Sequence, residues 1–176
     1  MSDAEAYQFV DDGRFPNSAL PVLVYRRALP PDPAAMERVF AAHDWSNSWR
    51  NGIFGFHHFH STAHEVLGIA AGEVQVAFGG SLGQEVTVRA GDVVVIPAGV
   101  THRNLGQGAD LLVVGAYPGG SDYDLCRGDP AEHAAAVRAI AAVPLPKNDP
   151  VLGRDGCLRR RWRMAVEPVA KSPNGC

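Results

Sequence analysis

Short runs of hydrophobic residues, separated by stretches that contain Gly and Pro, fill the middle of the chain. The runs are rich in Val, Ile and Phe, which favour strands because their side chains fit a pleated surface. Six of them are candidate strands, at residues 53–59, 65–71, 73–78, 85–89, 92–96 and 111–117. Glycines at 79–83 predict a turn between two of these strands. Many short antiparallel strands predict an all-β fold, either a sandwich or a barrel.

Two segments interrupt this pattern and predict helices, at residues 32–43 and 129–142. Each opens with an Asp-Pro pair, in which Asp can cap the helix and Pro can occupy its first turn. The apolar side chains expected to face the barrel are Met36, Val39 and Phe40 in the first helix and Val137 and Ile140 in the second. We therefore expect two accessory helices that cover the strands.

The rest of the chain indicates a single domain. A loop rich in Pro and Gly leads to residues 157–163, which we interpret as a last strand. The chain has 176 residues, 46% of them hydrophobic and 20% charged, and no internal repeat is visible. This length suffices to bury one core. We expect one domain over residues 1–176, with the barrel core at about 45–120 and the helical and C-terminal additions on its flanks.

Charge and cysteine content narrow the function classes. The net charge of −3 is spread along the chain, and the basic cluster at 159–163 is too short to follow a phosphate backbone, so we expect no nucleic-acid partner. Cys126, Cys157 and Cys176 are odd in number and lack metal-ligand spacing, which favours reduced thiols. The acidic N-terminus does not resemble a signal peptide, and no run approaches the ~20 apolar residues of a membrane span. We expect a cytoplasmic protein that does not bind membranes.

Histidines are concentrated in one short stretch, HHFHSTAHE, which holds four of the seven in the chain. In a strand, alternate side chains share a face, so His58 and His60 project together while His57 projects away. Glu65 begins the next predicted strand and can reach the same point. His102 follows the strand that ends at Ile96 and can complete the group.

Three imidazoles and one carboxylate form a nitrogen and oxygen site for a divalent transition metal. Iron, manganese, nickel, zinc and cobalt all suit such ligands, whereas calcium does not. Four protein ligands on a roughly octahedral ion leave about two positions open, and an open position is what metal catalysis requires. The sequence therefore predicts a metal site on His58, His60, Glu65 and His102.

The same residues resemble both motifs of the cupin superfamily. The first motif is Gly, five residues, His, one, His, three or four, Glu, six, Gly, and here it is Gly52, His58, His60, Glu65 and Gly72. The second is Gly, five residues, Pro, one, Gly, two, His, three, Asn, and here Gly91, Pro97, Gly99 and His102 match. The Asn is absent, because position 106 is Gly and the nearby asparagine is Asn104. The chain also looks like an uncharacterised bacterial group of single-domain cupins.

The resemblance implies a cupin jelly-roll β-barrel, with one metal ion inside one mouth of the barrel, and a homodimer. It does not supply an activity. An alternative is a vestigial barrel in which the four side chains only fill a polar pocket.

Several neighbouring residues have open roles. His64 replaces Glu65 as a ligand if the turn before it is one residue shorter, and otherwise lies outside the ligand set or is exposed. Phe54 and Phe56 share the parity of His58 and are expected either to line a pocket beside the metal or to pack in the core. We interpret Trp49, Arg50, Arg103 and Tyr117 as surface or packing residues, with the orientation of a substrate anion or ring as the alternative.

Three functions fit these observations. The leading hypothesis is a metal-dependent oxidoreductase, dioxygenase-like, that acts on a small organic molecule. The first alternative is a metal-dependent isomerase or hydrolase in which His64 or another ionisable neighbour moves protons. The second alternative is a non-catalytic module that binds a small molecule or a metal, since the fold does not fix the activity.

Overall fold

The computed structural model describes residues 4–166, and within that range the chain forms nine strands and three helices. The strands are β1 (Glu5–Phe9), β2 (Ser18–Tyr25), β3 (Trp45–Asn51), β4 (Glu65–Ala71), β5 (Glu73–Phe78), β6 (Gln84–Arg89), β7 (Val93–Ile96), β8 (His102–Gln107) and β9 (Leu112–Pro118). The helices are α1 (Pro33–Ala42), α2 (His133–Ala142) and α3 (Cys157–Val166). None of these helices is long and apolar enough to cross a bilayer.

The strands form two antiparallel sheets that face each other. The larger has the order β1-β2-β7-β4-β9-β3, and the smaller has the order β6-β5-β8. Apolar side chains from both sheets, such as Leu67 and Val94 from the larger and Val76 and Val86 from the smaller, meet in one buried cluster. The predicted all-β, jelly-roll β-barrel is confirmed.

The central strands β2, β7, β4 and β9 of the larger sheet are buried on both faces, which explains their nearly continuous hydrophobic sequences. In β2, Val22 and Val24 face the barrel interior, whereas Leu23 and Tyr25 face outward into a second buried cluster. A strand covered on both sides has no need to alternate apolar and polar residues. Helices α1 and α3 supply the outer cover, with Met36, Phe40, Leu158 and Trp162 fully buried there.

Helix α1 forms as the sequence predicts. The Asp32 side chain accepts a hydrogen bond from the Ala35 backbone N at 2.6 Å, and the helix begins at Pro33. Met36 packs closely on β4, because a Cβ at Gly68 would lie 2.8 Å from the Met36 sulfur. A glycine at this position therefore lets the helix approach the sheet.

Helix α2 differs in detail from its prediction. It begins at His133 rather than at residue 129, because Asp129 closes a turn by accepting a hydrogen bond from the Ala131 backbone N. Val137, which we expected to pack, is 42% exposed, while Ala136 is buried. Ile140 is partly buried against the same small cluster.

The prediction of a strand at residues 157–163 is wrong, because this segment lies in α3. Leu158 and Trp162 are buried and stand four residues apart, which is the spacing of a helix face rather than of a strand. The indole Nε1 of Trp162 donates a hydrogen bond to the Pro21 backbone O at 3.0 Å and so attaches α3 to β2. Three helices, rather than the two expected, therefore accompany the barrel in the described residues.

Five of the six predicted strands are present, and one is absent. The predicted strands 65–71 and 73–78 match β4 and β5, and 85–89, 92–96 and 111–117 each match a strand to within a residue or two. The strand predicted at 53–59 is absent, and only His58 and Phe59 form isolated bridges there. The strands β1, β2, β3 and β8 were not predicted from the hydrophobic pattern. Cys126 and Cys157 are free and buried, and Cys176 lies outside the described residues.

Candidate metal centre

The four predicted ligand side chains are buried together inside the barrel. The exposed fractions are 4% for His58, 7% for His60, 3% for Glu65 and 2% for His102. We call these four side chains the histidine–glutamate cluster. Burial of four polar groups in an otherwise apolar interior is costly unless they have partners, so the cluster requires a physical explanation.

Backbone pairing places two of the histidines side by side. His58 and His102 form an isolated antiparallel bridge, in which each backbone N donates to the other residue's O at 3.1 and 2.9 Å. Side chains of directly paired residues lie on the same face of a sheet. The two imidazole rings are accordingly 4.2 Å apart between centroids. The segment predicted as a strand at 53–59 therefore forms two isolated bridges, this one and the one between Phe59 and Cys126.

Glu65 lies between the other two imidazoles. It is the first residue of β4 and has the same parity as Leu67 and Ile69, whose side chains face the barrel interior. Its Oε2 lies 3.5 Å from His60 Nε2 and 3.6 Å from His102 Nε2. The carboxylate thus faces the same point as the histidine rings, as the sequence predicts.

Each histidine of the cluster has its other ring nitrogen against a backbone carbonyl. His58 Nδ1 is 3.0 Å from the Phe56 O, His102 Nδ1 is 3.1 Å from the Val100 O, and His60 Nδ1 makes a short contact with the Asp124 O. A carbonyl can only accept, so each Nδ1 carries the proton. In the neutral ring, Nε2 then has a free lone pair. Metal-binding histidines use this arrangement, in which the second nitrogen donates to a carbonyl or a carboxylate.

The charge states within the cluster call for a cation. Burial and the adjacent His102 ring lower the pKa of His58 to about 3, so this ring is neutral near pH 7. Burial alone would raise the pKa of Glu65, but the adjacent imidazoles of His102 and His60 outweigh it and hold the pKa well below its usual range. For His60, burial would lower the pKa, and the Glu65 carboxylate reverses the direction and raises it. An ionised carboxylate is therefore stabilised by positive charge on its imidazole side.

The distances from Glu65 Oε2 to the two Nε2 atoms can be compared with those expected for a shared proton and for a shared metal ion. A proton shared between nitrogen and oxygen would bring the two atoms to roughly 2.7–2.9 Å. Two ligands with bonds of about 2.1 Å to one ion lie roughly 3.0–3.4 Å apart at octahedral or tetrahedral angles. The separations of 3.5 and 3.6 Å around Glu65 are closer to the second case. The residues thus fit a metal ion by donor type and tautomer, and the two separations around Glu65 are near those of ligands that share an ion.

The side chains are nevertheless more open than a closed coordination sphere. In the part of the chain that the structure describes, no group of three or more His, Cys, Asp or Glu side chains is close enough to hold an ion as it lies. The rings of His58 and His60, for example, are 6.0 Å apart between centroids. Metal binding would therefore draw the cluster together through side-chain rotation.

A chain of hydrogen bonds from outside the cluster orients Glu65. Trp49 Nε1 donates to the Tyr117 hydroxyl at 2.8 Å, and this hydroxyl donates to Glu65 Oε1 at 3.0 Å. Oε1 is thus occupied, and Oε2 is left to face the histidines. Tyr117 is buried in the core and Trp49 packs against it, in line with the packing role that we expected, and both also line the cavity above the cluster.

Asp124 supports His60 in a similar way. Its backbone O contacts His60 Nδ1, and its carboxylate accepts hydrogen bonds from the backbone N of Ser61 at 2.7 Å and from the Ser61 hydroxyl. The thiol of Cys126 donates to the same carboxylate at 3.3 Å. Sequence reasoning missed Asp124, since an aspartate in a Gly-rich and Asp-rich loop has the signature of an ordinary turn residue.

The remaining candidates take other positions. His64 is buried away from the cluster, where its Nδ1 accepts a hydrogen bond from the Ala98 backbone N and its ring packs on Trp162. His57 packs on Phe15, on the opposite side of its segment from His58. Asn104 does not replace the motif Asn, because its side chain bonds to Gly106 and Gln107 within its own strand.

Phe54 and Phe56 take different positions, and so do Arg50 and Arg103. Phe54 lines the cavity, whereas Phe56 stacks beside it under the Arg127 guanidinium. Arg50 forms a salt bridge with Glu37 at 2.8 Å. Arg103 alternates with His102 along β8 and so faces away from the cluster.

A cavity of about 660 Å³ opens above the histidine–glutamate cluster. It is lined on one side by Trp49, Tyr117 and Tyr123 and on the other by Ile53 and Phe54. A space of this volume is typical of small-molecule sites. The arrangement can therefore place an organic molecule in direct contact with the four side chains.

Comparisons with known proteins agree with this arrangement. Residues 50–115 match the family described as Cupin domain. The chain is 44% identical over 161 residues, which is 91% of its length, to the uncharacterized protein YjlB of Bacillus subtilis (strain 168) and covers 97% of that protein. This relative has no described activity, so it supports common ancestry rather than a particular reaction.

Two solved structures are similar in fold at low identity. An acireductone dioxygenase from Bacillus anthracis, with cadmium in its active center, is 17% identical with a TM-score of 0.42, over 58% of this chain and 80% of that one. The TDP-quinovose 3,4-ketoisomerase WlaRB from Campylobacter jejuni is 13% identical with a TM-score of 0.41, over 53% and 75%. These two proteins catalyse different reactions, so the likeness does not select one for this chain.

Proposed function

Because this chain belongs to the cupin family, we propose that it is a metalloenzyme that binds one divalent transition metal at the histidine–glutamate cluster. The proposal depends chiefly on one observation. Each of the three imidazoles has its Nδ1 against a backbone carbonyl, which leaves three Nε2 lone pairs beside the Glu65 carboxylate. Four donor groups without a cation would repel one another in a buried space.

His58, His60, Glu65 and His102 would hold the ion, which is iron, manganese, nickel, zinc or cobalt by the chemistry of these donors. When bound, such an ion supplies Lewis acidity and, if it is redox-active, electron transfer to dioxygen and substrate. The chain's own residues prepare the site. The backbone carbonyls fix the histidine tautomers, and Tyr117 keeps Glu65 Oε1 engaged so that Oε2 faces the histidines.

The side chains that line the cavity above the cluster favour an oxygen-dependent oxidoreductase that acts on a small organic molecule. Isomerisation or hydrolysis needs a residue that moves protons next to the substrate. We expected His64 to serve, but it is buried against Trp162 and does not line the cavity. Apart from the cluster, the titratable side chains that line the cavity in the described residues are Tyr117 and Tyr123, and burial raises the pKa of Tyr117 far above neutrality. Outside the cluster, the described lining of the cavity therefore has few side chains that can transfer a proton at neutral pH.

Metal analysis tests the first part of the proposal. The protein is purified without a nickel column, and its metal content is measured by elemental analysis. We expect close to one transition metal ion per chain, and a loss of at least about tenfold in affinity in His102→Ala and Glu65→Gln variants. His57→Ala is the matched control, since this neighbour faces away from the cluster and should leave the metal content unchanged. Equal metal content in all four proteins would contradict the assignment.

Oxygen consumption tests the second part. Candidate substrates are incubated with metal-loaded protein in air and under anaerobic conditions. Turnover that occurs in air and stops without oxygen supports the oxidoreductase. Turnover that persists without oxygen identifies an isomerase or hydrolase instead, and a compound that binds tightly and is recovered unchanged across many metals identifies a binding module. The cytoplasmic location, the homodimer, the absence of nucleic-acid partners and the single domain stay predictions.

A further inference from the structure

We propose that the walls of the cavity above the histidine–glutamate cluster select a flat apolar group, such as an aromatic ring, that carries no charge where it contacts them. The ring would lie against the aromatic side chains of the mouth, and an oxygen atom of the molecule would point toward the cluster. This inference rests on the proposed function only for the role of the cluster. The selection of shape and charge rests on the cavity walls.

Eight of the fifteen residues that line the cavity have aliphatic or aromatic side chains. Aliphatic side chains line the cavity at Ile53, Leu67, Leu111 and Leu112. Aromatic side chains line it at Trp49, Phe54, Tyr117 and Tyr123. A flat apolar group that enters a volume of about 660 Å³ with such walls buries surface on both of its faces.

Two of the aromatic rings are exposed at the mouth, and each contacts a different histidine of the cluster. Tyr123 is 44% exposed, stacks on Tyr117 at 4.3 Å and lies edge-on to His60 at 4.8 Å. Phe54 is 52% exposed and lies edge-on to His58 at 5.1 Å. Exposed aromatic surface beside a cavity is typical of a binding site, because a ligand that covers it removes apolar area from water.

The cavity walls outside the histidine–glutamate cluster offer no counter-charge for an anionic ligand. Among the described residues, no Lys or Arg lines the cavity, and its one carboxylate is Glu65. The nearest arginines along the chain are directed elsewhere, since Arg50 is bonded to Glu37 and Arg103 faces away from His102. A carboxylate or phosphate against these walls would lose its hydration without a cationic side chain in return. The part of a ligand that contacts the walls is therefore favoured when it is neutral, whereas a metal ion at the cluster would itself attract an anionic group.

Neutral hydrogen-bond donors remain at the mouth. The Gln107 side-chain oxygen accepts a hydrogen bond from Asn104, and the Asn51 side-chain oxygen accepts one from the Gly52 backbone N. Both carboxamides line the cavity, and each keeps its NH₂ group as a donor. These groups suit a hydroxyl, ether or carbonyl oxygen on the ligand.

Calorimetric titration with matched probes tests the inference. The probes are 2-naphthol, which is neutral, 2-naphthoate, which has the same rings and one negative charge, and succinate, which has two charges and no ring. Each is titrated into the metal-free full chain, and 2-naphthol is also titrated into the zinc-loaded chain to show that the ring site is retained when the ion is bound. We expect 2-naphthol to bind at least about tenfold more tightly than 2-naphthoate to the metal-free protein, and succinate not to compete with it there.

Three variants and one control separate the effect of the aromatic side chains from that of the Glu65 charge. Tyr123→Ala and Phe54→Ala should each weaken 2-naphthol binding by about three- to tenfold, the worth of one aromatic contact. Leu82→Ala, at a 70% exposed position outside the cavity lining, is the control and should have no effect. Glu65→Gln removes the carboxylate that would repel anions, and a preference for 2-naphthol that persists in this variant is due to the cavity walls.

Two outcomes would overturn the inference. One is binding of 2-naphthoate or succinate as tight as that of 2-naphthol, and the other is unchanged 2-naphthol binding in both aromatic variants. Failure of the protein to bind any metal would contradict the proposed function but would leave the metal-free titration decisive for the cavity. Metal binding without any affinity for 2-naphthol would support the proposed metal site and would contradict the inference about the cavity.

Discussion

At the residue scale, the two oxygens of Glu65 have different partners, and this difference depends on Tyr117. The Tyr117 hydroxyl donates to Oε1, while Oε2 faces His60 and His102. Supporting hydrogen bonds of this kind typically contribute 10- to 100-fold, roughly, to metal affinity, because they hold the ligand in one orientation. The chemistry of the cluster therefore depends on a residue that does not belong to it.

Tyr117→Phe tests this dependence. The variant keeps the ring but removes the donor to Glu65 and the acceptor for Trp49 Nε1. We expect metal affinity to fall by about tenfold or more and unfolding free energy to fall by about 1–3 kcal/mol, since two buried groups lose a partner. Competition with a chelator and denaturant unfolding of the metal-free protein measure the two effects.

The control is Tyr7→Phe, which removes a tyrosine–glutamate hydrogen bond of 2.7 Å at an exposed position. This variant should change neither quantity measurably. Unchanged metal affinity in Tyr117→Phe would show that Glu65 holds its orientation without the hydroxyl.

Gly115→Ala tests how Trp49 reaches Tyr117. A Cβ at Gly115 would overlap the Trp49 indole, which lies across β9 at this point. We expect the indole to be displaced at a cost of about 1–3 kcal/mol, the usual range for overpacking, together with a weaker metal site. Denaturant unfolding and chelator competition provide the measurements. Gly106→Ala is the control, because nothing lies within 4 Å of its added Cβ.

The sequence contains the ligands of the cluster but little of what supports them. Parity and motif spacing are local, so His58, His60, Glu65 and His102 can be read from the chain, although their binding of a metal stays a prediction. Asp124 contacts His60 across 64 positions of sequence, and no local pattern links the two. Tyr117 ends an apolar strand and looks like any packing residue until the fold places its hydroxyl against Glu65.

At the element scale, α3 holds the outer face of the larger sheet through one large side chain. Trp162 is fully buried and bonds to the Pro21 backbone O. We expect Trp162→Ala to lower the unfolding free energy by about 3–5 kcal/mol, because a cavity replaces the indole. Chemical denaturation measures the change. Met164→Ala on the same helix, at a 70% exposed position, should change stability by less than about 0.5 kcal/mol.

The failures of element prediction have two physical causes. The strand β3 has the sequence WSNSWRN and lies at the edge of its sheet, where five of its seven residues are exposed and no apolar alternation is needed. The segment of α3 is short, and its few apolar residues among arginines fit the spacing of a helix as well as that of a strand. The two are told apart only when the packing partners of these residues are known. Prediction succeeded where burial on both faces made β4 and β7 strongly apolar, and where one buried face gave β5 its alternation of apolar and polar residues.

At the scale of the whole molecule, Asp149 attaches the C-terminal segment to the barrel. It is completely buried, and its Oδ2 accepts from the Tyr25 hydroxyl at 2.6 Å and from the Leu158 backbone N at 3.2 Å. Its Oδ1 accepts from the backbone N of Val151 and of Leu152. One carboxylate thus joins β2, the loop before α3 and α3 itself.

Asp149→Ala should weaken the barrel as a unit. Four donors would lose their acceptor, and we expect a loss of about 3 kcal/mol or more. If residues 1–176 form one domain, far-UV circular dichroism and tryptophan fluorescence will report one shifted transition. Two separated transitions would contradict the single domain. Asp155→Ala, at an exposed position nearby, should leave the transition in place.

The position of the cluster has a mechanical consequence for the barrel. Glu65 opens β4 of the larger sheet and His102 opens β8 of the smaller, so the two side chains reach toward each other from different sheets. An ion bound by both would cross-link the sheets at their open end and would stabilise only the folded chain. A chelator would then do more than stop catalysis. It would also loosen the entrance through which the substrate passes.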